Sequence, residues 1–379
     1  MIYLDNAATT PLDGCVLEEM LPYLRENYGN SQSQHSLGRA SANALVRARD
    51  FFAQALGCRS EEIYFTSGGT ECGNTALKGA CSARGKGHII VSAIEHPSLI
   101  ESAKDMLAHG FEVTFVNPDK DGRVQPAEIE RAMRRDTFFC AVASANNETG
   151  VIQPAREIGE ICRKHGVFYY ADCVQSAGTQ KLSCDFCDGL GISAHKFYGP
   201  KGAGVLYIKS GGKISRLISG GMQERGLRGG TVNVAAAVGM AKAYENALLN
   251  LEKNRAYISG LKNSFVKRVL AEIDGAYLNG GGEILPSHAN ISFDGCDGEN
   301  ILFALDLKGI AVSTGSACSA GAVNPSHVLT AMGLPYDRVK SAVRFSFGKY
   351  NTAEEVNKTV KALKEIISKI RSVNGRNAP

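Results

Sequence analysis

The segment SAHKFYGPKG occupies residues 193–202 and sets Lys196 between a histidine and a glycine-proline turn. The apolar run at 189–192 predicts a strand, so the lysine stands where a strand ends and the chain turns. An amine that attacks a carbonyl needs a rigid backbone, and partial desolvation or nearby cations to keep some of it neutral. Lys196 meets the first need better than Lys201. Alone it says little, because most lysines are solvated surface residues. Upstream, Asp172 closes the apolar run 167–171, and open α/β sheets bind ligands at the carboxyl ends of their strands. An aspartate so placed, paired with an imine-forming lysine, is the arrangement that holds pyridoxal phosphate with its ring nitrogen protonated. Taken without the lysine, Asp172 reads equally well as a helix cap or turn residue.

Outward from this pair, short β-branched or aromatic runs alternate with amphipathic stretches from about residue 60 to 210, the pattern of a mainly parallel sheet covered by helices. Strands are predicted at 62–66, 88–92, 112–116, 138–144, 167–171 and 204–208. Helices are predicted at 70–81, 98–109, 127–134 and 155–164, with Pro97, Pro126 and Pro154 near their starts. A longer helical pattern, 232–255, leads toward a second core. There the expectation is a helix at 257–273, a strand at 287–293, a helix at 300–305, a strand at 343–347 and a helix at 353–370. With 379 residues, the chain exceeds what one core usually supports. The expected fold class is α/β, with residues 1–15 packing on the small domain, 16–255 forming the large cofactor-binding domain and 256–379 a smaller C-terminal domain.

The sequence is 44% hydrophobic and 21% charged, with a formal charge of +4. Its basic residues are scattered among acids, which argues against a nucleic-acid surface. Neither a signal peptide nor a membrane-length apolar stretch is seen, so a cytoplasmic protein is expected. The eleven cysteines then read as reduced thiols. Cys184 and Cys187 form a CxxC pair, but zinc sites usually need a second pair or histidines at suitable spacing, and no metal is expected.

Two further strings carry chemistry. TSGGTE, 66–71, lies between a strand and a helix; its glycines let backbone N–H groups approach an anion at the helix N-terminus, as a phosphate requires. No GKS or GKT follows, which excludes a Walker loop. Cys318 lies in STGSACSAGAVNP, 313–325, a run of small residues without amphipathic period that reads as a mobile loop able to carry a thiol between two places. Its nucleophilic form is the thiolate; read alone, the cysteine is more often structurally neutral.

Taken together, these strings resemble the cysteine desulfurases of the NifS/IscS type, within the class V aminotransferase group and fold type I. The likeness runs from YLDNAATTP (3–11) through TSGGTE, EHPS (95–98), NNETG (146–150), DCVQS (172–176), SAHKFYGPKG, ERGLRGGT (224–231) and GSACS (315–319) to VRFSFG (343–348). The resemblance implies a seven-stranded, mainly parallel sheet and a pyridoxal 5'-phosphate enzyme that converts L-cysteine to L-alanine and carries the sulfur as a persulfide on Cys318. It further implies that Lys196 forms the Schiff base and removes the α proton, and that His96 stacks on the ring and moves protons. Asp172 pairs with the ring nitrogen, and Asn147 and Gln175 bond the phenolic oxygen. Gly69, Thr70, Ser193 and His195 hold the phosphate, and Thr231 reaches the phosphate of a neighbouring subunit, hence a homodimer with shared sites. Arg344, helped by Asn147, clamps the substrate carboxylate. A sulfur-acceptor protein, such as an iron-sulfur scaffold, completes the expectation.

The sequence departs from the usual strings at Ser31, where proline is common, at Cys173 and Val174 in the aspartate motif, and in ending soon after the last helix. Two other readings stand beside this one: a related lyase or transaminase, such as a selenocysteine lyase, for which Cys318 would be dispensable, and a binding scaffold without catalysis.

Overall fold

The computed structural model describes residues 1–315 and 325–376. In chain order the first elements are β1 (Ile2–Tyr3), α1 (Gly14–Arg25) and α2 (Ser36–Leu56). There follow β2 (Ile63–Thr66), α3 (Gly69–Arg84), β3 (His88–Ser92), α4 (Pro97–Ala108), β4 (Glu112–Val116), α5 (Pro126–Ala132), β5 (Thr137–Ala141), α6 (Ala155–His165), β6 (Phe168–Asp172), β7 (Gly189–Ser193) and β8 (Gly204–Ile208). Two long helices, α7 (Val234–Leu249) and α8 (Leu251–Glu272), precede β9 (Ala276–Asn279), β10 (His288–Phe293), α9 (Gly298–Asp306) and β11 (Ile310–Ala311). The chain then forms α10 (His327–Ala331), α11 (Tyr336–Lys340), β12 (Ala342–Ser346) and α12 (Ala353–Arg376). Among the described residues, no helix is long and apolar enough to cross a membrane.

The large sheet has seven strands in the order β2-β8-β7-β6-β5-β3-β4. Only β8 is reversed, pairing antiparallel with both β2 and β7, while the β4-β3-β5-β6-β7 ladders are parallel. Alternate side chains leave its two faces for different cores. Ile90, Cys140, Tyr169 and Ala171 join a cluster that includes Phe52 and Tyr244, and Ile89, Val91, Phe139 and Tyr170 join another that includes Leu77 and Leu99. Burial on both faces explains why these strands read as continuous apolar runs without alternation.

A third cluster lies around the antiparallel sheet β12-β10-β9, where Phe265 packs on Phe345 and Phe347 at ring-centroid distances of 4.8 and 5.3 Å. Leu4 belongs to this cluster, and β1 pairs parallel with β11. Later in the chain, Val328, Leu329, Met332, Val339 and Ala342 return to the first cluster.

Several predicted boundaries shift. The expected helix 232–255 is broken at Asn250, whose backbone (φ −109°, ψ 14°) leaves the helical region while its side chain bonds the Asn246 carbonyl at 2.9 Å. Asparagine competes for backbone groups in this way and favours helix ends, so α8 begins at 251 and runs through the boundary expected near 256. Predicted strand 138–144 ends at Ala141, where the chain turns toward the site. Asp172 is the last residue of β6, not the first beyond it, since its backbone still pairs opposite Gly191.

Candidate active site

Five strands, β2, β3, β5, β6 and β7, and the loops that leave them converge on a cavity of ≈ 280 Å³. After β2, the turn at Ser67 and Gly68 starts α3 without a side-chain cap, leaving first-turn N–H groups available to an anion. Gly68 has φ +151°, within the range that L side chains rarely adopt. Gly69 lies so close to the opposite wall that an added Cβ would stand 2.6 Å from Cγ2 of Val174. Thr70 follows and also lines the cavity.

His96 caps α4: its Nδ1 accepts from the Ser98 backbone N–H at 3.2 Å, which leaves the proton of the neutral ring on Nε2. Burial, then the charges of Lys196 and His327, lower its pKa to about 4. The ring is therefore neutral near pH 7.

Asn147 follows β5 by way of Asn146, whose Oδ1 accepts from the N–H groups of Glu148 and Thr149 at 2.9 Å each. At the end of β6, one carboxylate oxygen of Asp172 accepts from the Val174 N–H at 2.9 Å. Burial pushes this carboxyl up to about 6, against the Val174 bond and the charge of Lys196, which pull it down.

From β7 come Ser193, His195 and Lys196. The Lys196 Nζ donates to the carbonyls of Ala7 and Ala8 at 2.6 and 2.9 Å, and Gln175 donates to the same Ala7 carbonyl at 3.1 Å. His195 is 3.1 Å from the Thr9 hydroxyl, and burial lowers its pKa to about 4. Two residues beyond the lysine, Tyr198 holds φ at +67°, an unfavourable conformation for an aromatic residue. Bonds from its N–H to the Thr10 hydroxyl (2.8 Å) and from the Lys349 N–H to its phenol oxygen (2.8 Å) hold it there.

Gly69, Thr70, His96, Asn147, Asp172, Gln175, Ser193, His195 and Lys196 thus line one cavity. Thr231 does not; it lines a separate cavity of ≈ 220 Å³ beside Ser67 and Arg228. Arg344 also lies outside the lining. Its Nη1 donates to the Asn147 carbonyl at 2.9 Å, its Nη2 pairs with Asp5 at 2.9 Å, and its Nε, buried, has no hydrogen-bond partner among the described residues. Cys318 lies outside the described residues. Cys184 and Cys187 are both buried in the first core cluster. Sequence reasoning missed the opening segment's part: Ala7 and Ala8 act through backbone carbonyls, and Asp5 meets Arg344 across almost the whole chain. The DNAATT string was the available signal.

The residues fit pyridoxal phosphate. A buried carboxylate whose ionisation is penalised gains most from a protonated ring nitrogen, the cleft between Gly69 and Val174 admits no extra carbon, and an uncapped helix start faces the same space.

The sequence model of class-V aminotransferases matches residues 2–359, and the chain belongs to that family, whose members depend on pyridoxal phosphate. Within it, the chain is 44% identical to the cysteine desulfurase IscS of Dictyoglomus turgidum, covering 98% of this chain and 96% of that one. A solved NifS-like protein superposes with a TM-score of 0.91 at 38% identity, covering 97% and 99% of the two chains. A structure described as SspA in complex with cysteine gives 0.83 at 33% identity, covering 93% and 100%.

Proposed function

We propose that this protein is a cysteine desulfurase that converts L-cysteine to L-alanine and hands the sulfur, as a persulfide on Cys318, to an acceptor protein. What supports the reading is the meeting of Lys196 and Asp172 in one cavity at the carboxyl ends of parallel strands, in a chain 44% identical to a cysteine desulfurase over nearly its whole length.

Bound pyridoxal phosphate supplies an electron-accepting ring that acidifies the α proton of the amino acid. Asp172 keeps a proton on the ring nitrogen through its buried carboxylate. The Gly69 and Thr70 N–H groups, with Ser193 and His195, would hold the phosphate, and Asn147 and Gln175 would bond the phenolic oxygen. With the cofactor bound, the Lys196 amine would accept the proton from the substrate Cα. His96, neutral and with its Nε2 proton available, would lie against the ring and return a proton. Arg344 binds the substrate carboxylate through its unpartnered Nε, with its fork oriented by Asp5 and the Asn147 carbonyl. The Cys318 thiolate attacks the substrate sulfur: a sulfur-sulfur bond forms, the carbon-sulfur bond breaks, and its electron pair stays on carbon, where protonation gives alanine.

The same reading makes the protein a cytoplasmic homodimer in which Thr231 reaches the partner's phosphate, and makes an iron-sulfur scaffold one candidate acceptor. The test is alanine and sulfide release from L-cysteine, with mass measurement of Cys318. Lys196→Ala should retain bound cofactor and form no alanine, and Cys318→Ser should release little sulfide. Normal alanine formation by Lys196→Ala would refute the assignment, and unchanged sulfide release by Cys318→Ser would instead identify a lyase.

A further inference from the structure

Residues 315 and 326 bracket the stretch that contains Cys318, and one buried side chain touches both. Glu148, only 1% exposed, accepts a hydrogen bond from the Ser326 hydroxyl at its Oε2. The same oxygen lies against Gly315, so closely that an added Cβ there would stand 2.0 Å from it. Neither contact is needed to form a fold element of its own. Ser326 already caps α10, accepting from the Leu329 N–H at 3.1 Å, and the chain before Gly315 is fixed by paired bonds between the backbones of Ser313 and Arg344 at 2.6 and 3.2 Å.

The two ends belong to different cores. Val312, just before the first, packs in the third cluster, and Val328 and Leu329, just after the second, pack in the first. The backbone of Glu148 is fixed apart from both ends: its N–H donates to Asn146 Oδ1, and its carbonyl accepts from Asn290 at 3.4 Å. It directly follows Asn147, which lines the cavity and whose carbonyl orients Arg344. One carboxylate therefore ties the wall of the substrate site to both ends of the segment that bears the sulfur-accepting thiol.

We propose that Glu148 is a positioning residue for sulfur transfer, setting where the chain bearing Cys318 leaves and rejoins the body relative to Arg344 and Asn147. This rests on the desulfurase reading. Its side chain does not line the cavity, so its effect falls on the thiol's delivery and not on the binding of cysteine.

The variants are Ser326→Ala, which removes the hydroxyl; Ser326→Asp, which keeps a helix-capping side chain but sets a second carboxylate against Glu148; and Glu148→Gln, whose amide oxygen still accepts. On the cofactor-loaded protein, three quantities are read: the cofactor dissociation constant, the absorbance change on adding L-cysteine, and the single-turnover rate at which Cys318 gains one sulfur by mass. The first two should stay within about twofold in every variant. The sulfur-gain rate should fall about tenfold in Ser326→Ala, the scale of one lost charge-assisted hydrogen bond, further in Ser326→Asp, and least in Glu148→Gln. An unchanged rate in Ser326→Asp, or an absorbance change that weakens in parallel with sulfur gain, would overturn the positioning role. If wild-type Cys318 gains no sulfur while cysteine still alters the absorbance, the desulfurase reading itself fails, and the role of Glu148 falls with it.

Discussion

Gly69→Ala tests how the site holds its phosphate. The added methyl would stand 2.6 Å from Cγ2 of Val174, whereas ordinary contact begins at 3.4 Å. Either the start of α3 or the Val174 side chain must yield by roughly 0.8 Å, and a hydrogen bond lengthened that much from ~2.9 Å no longer meets bonding geometry. Overpacking of this kind costs about 1–3 kcal/mol. Borne by the N–H groups proposed to hold the phosphate, that cost weakens cofactor binding roughly 5- to 150-fold, at about 1.4 kcal/mol per factor of ten. The assay is titration of cofactor-free protein with pyridoxal phosphate, followed by absorbance. Val174→Ala removes the opposing Cγ2, so Gly69→Ala/Val174→Ala should recover most of the lost affinity. Full affinity in the single variant, or no recovery in the double, would refute the reasoning.

Glu95, fully buried beside Asp172, has its carboxyl pushed up to about 8, first by burial and further by the Asp172 charge, despite the Ala143 N–H that it accepts. The folded protein thus keeps a proton that the unfolded chain releases, so this group's contribution is full below pH 4.5 and is lost as pH rises toward 8. Relative to wild type, cofactor-free Glu95→Gln should gain stability across that window, by at most ~1.4 kcal/mol per pH unit; parallel denaturation profiles at pH 5 to 8 would count against it. Arg344→Lys replaces a fork that serves Asn147 and Asp5 and, in the proposed reaction, an incoming carboxylate, with one point charge. It should raise the KM for cysteine about 10- to 100-fold, as expected for a lost charge-assisted bond, while leaving cofactor affinity unchanged; an unaltered KM would remove Arg344 from the substrate site.

Much of this architecture was readable from residue type because β3 and β8 are buried on both faces, and even β4, a half-covered edge strand, is a β-branched and aromatic run. Their spans appear as predicted at 88–92, 112–116 and 204–208. Asp172 was read as lying past its strand because a charged residue after an apolar run looks like a boundary, while the backbone ladder continues regardless of side-chain polarity. The break at Asn250 has no glycine or proline to announce it. Short pieces such as β1, β11, α10 and α11 are too brief to show a period at all, and β9 is four residues with only its last, Asn279, buried. The cavity residues were legible because each sits in a chemically distinctive string. The carbonyls of Ala7 and Ala8 were not, since a backbone acceptor leaves no trace in residue identity. Asp5 against Arg344, and Glu148 against Ser326, join residues 339 and 178 positions apart, distances over which local pattern carries no information.

The dependence of Lys196 on the first eight residues bears on the order in which the protein matures. Ile2 and Tyr3 pair with Ile310 and Ala311, and Asp5 bridges to Ser346, so the start of the chain must wait for its last third before it docks. Contacts between such distant parts are slow to form. During synthesis the large sheet can assemble well before the amine of Lys196 finds its carbonyl acceptors, and that amine becomes fully seated only once nearly the entire polypeptide has emerged from the ribosome.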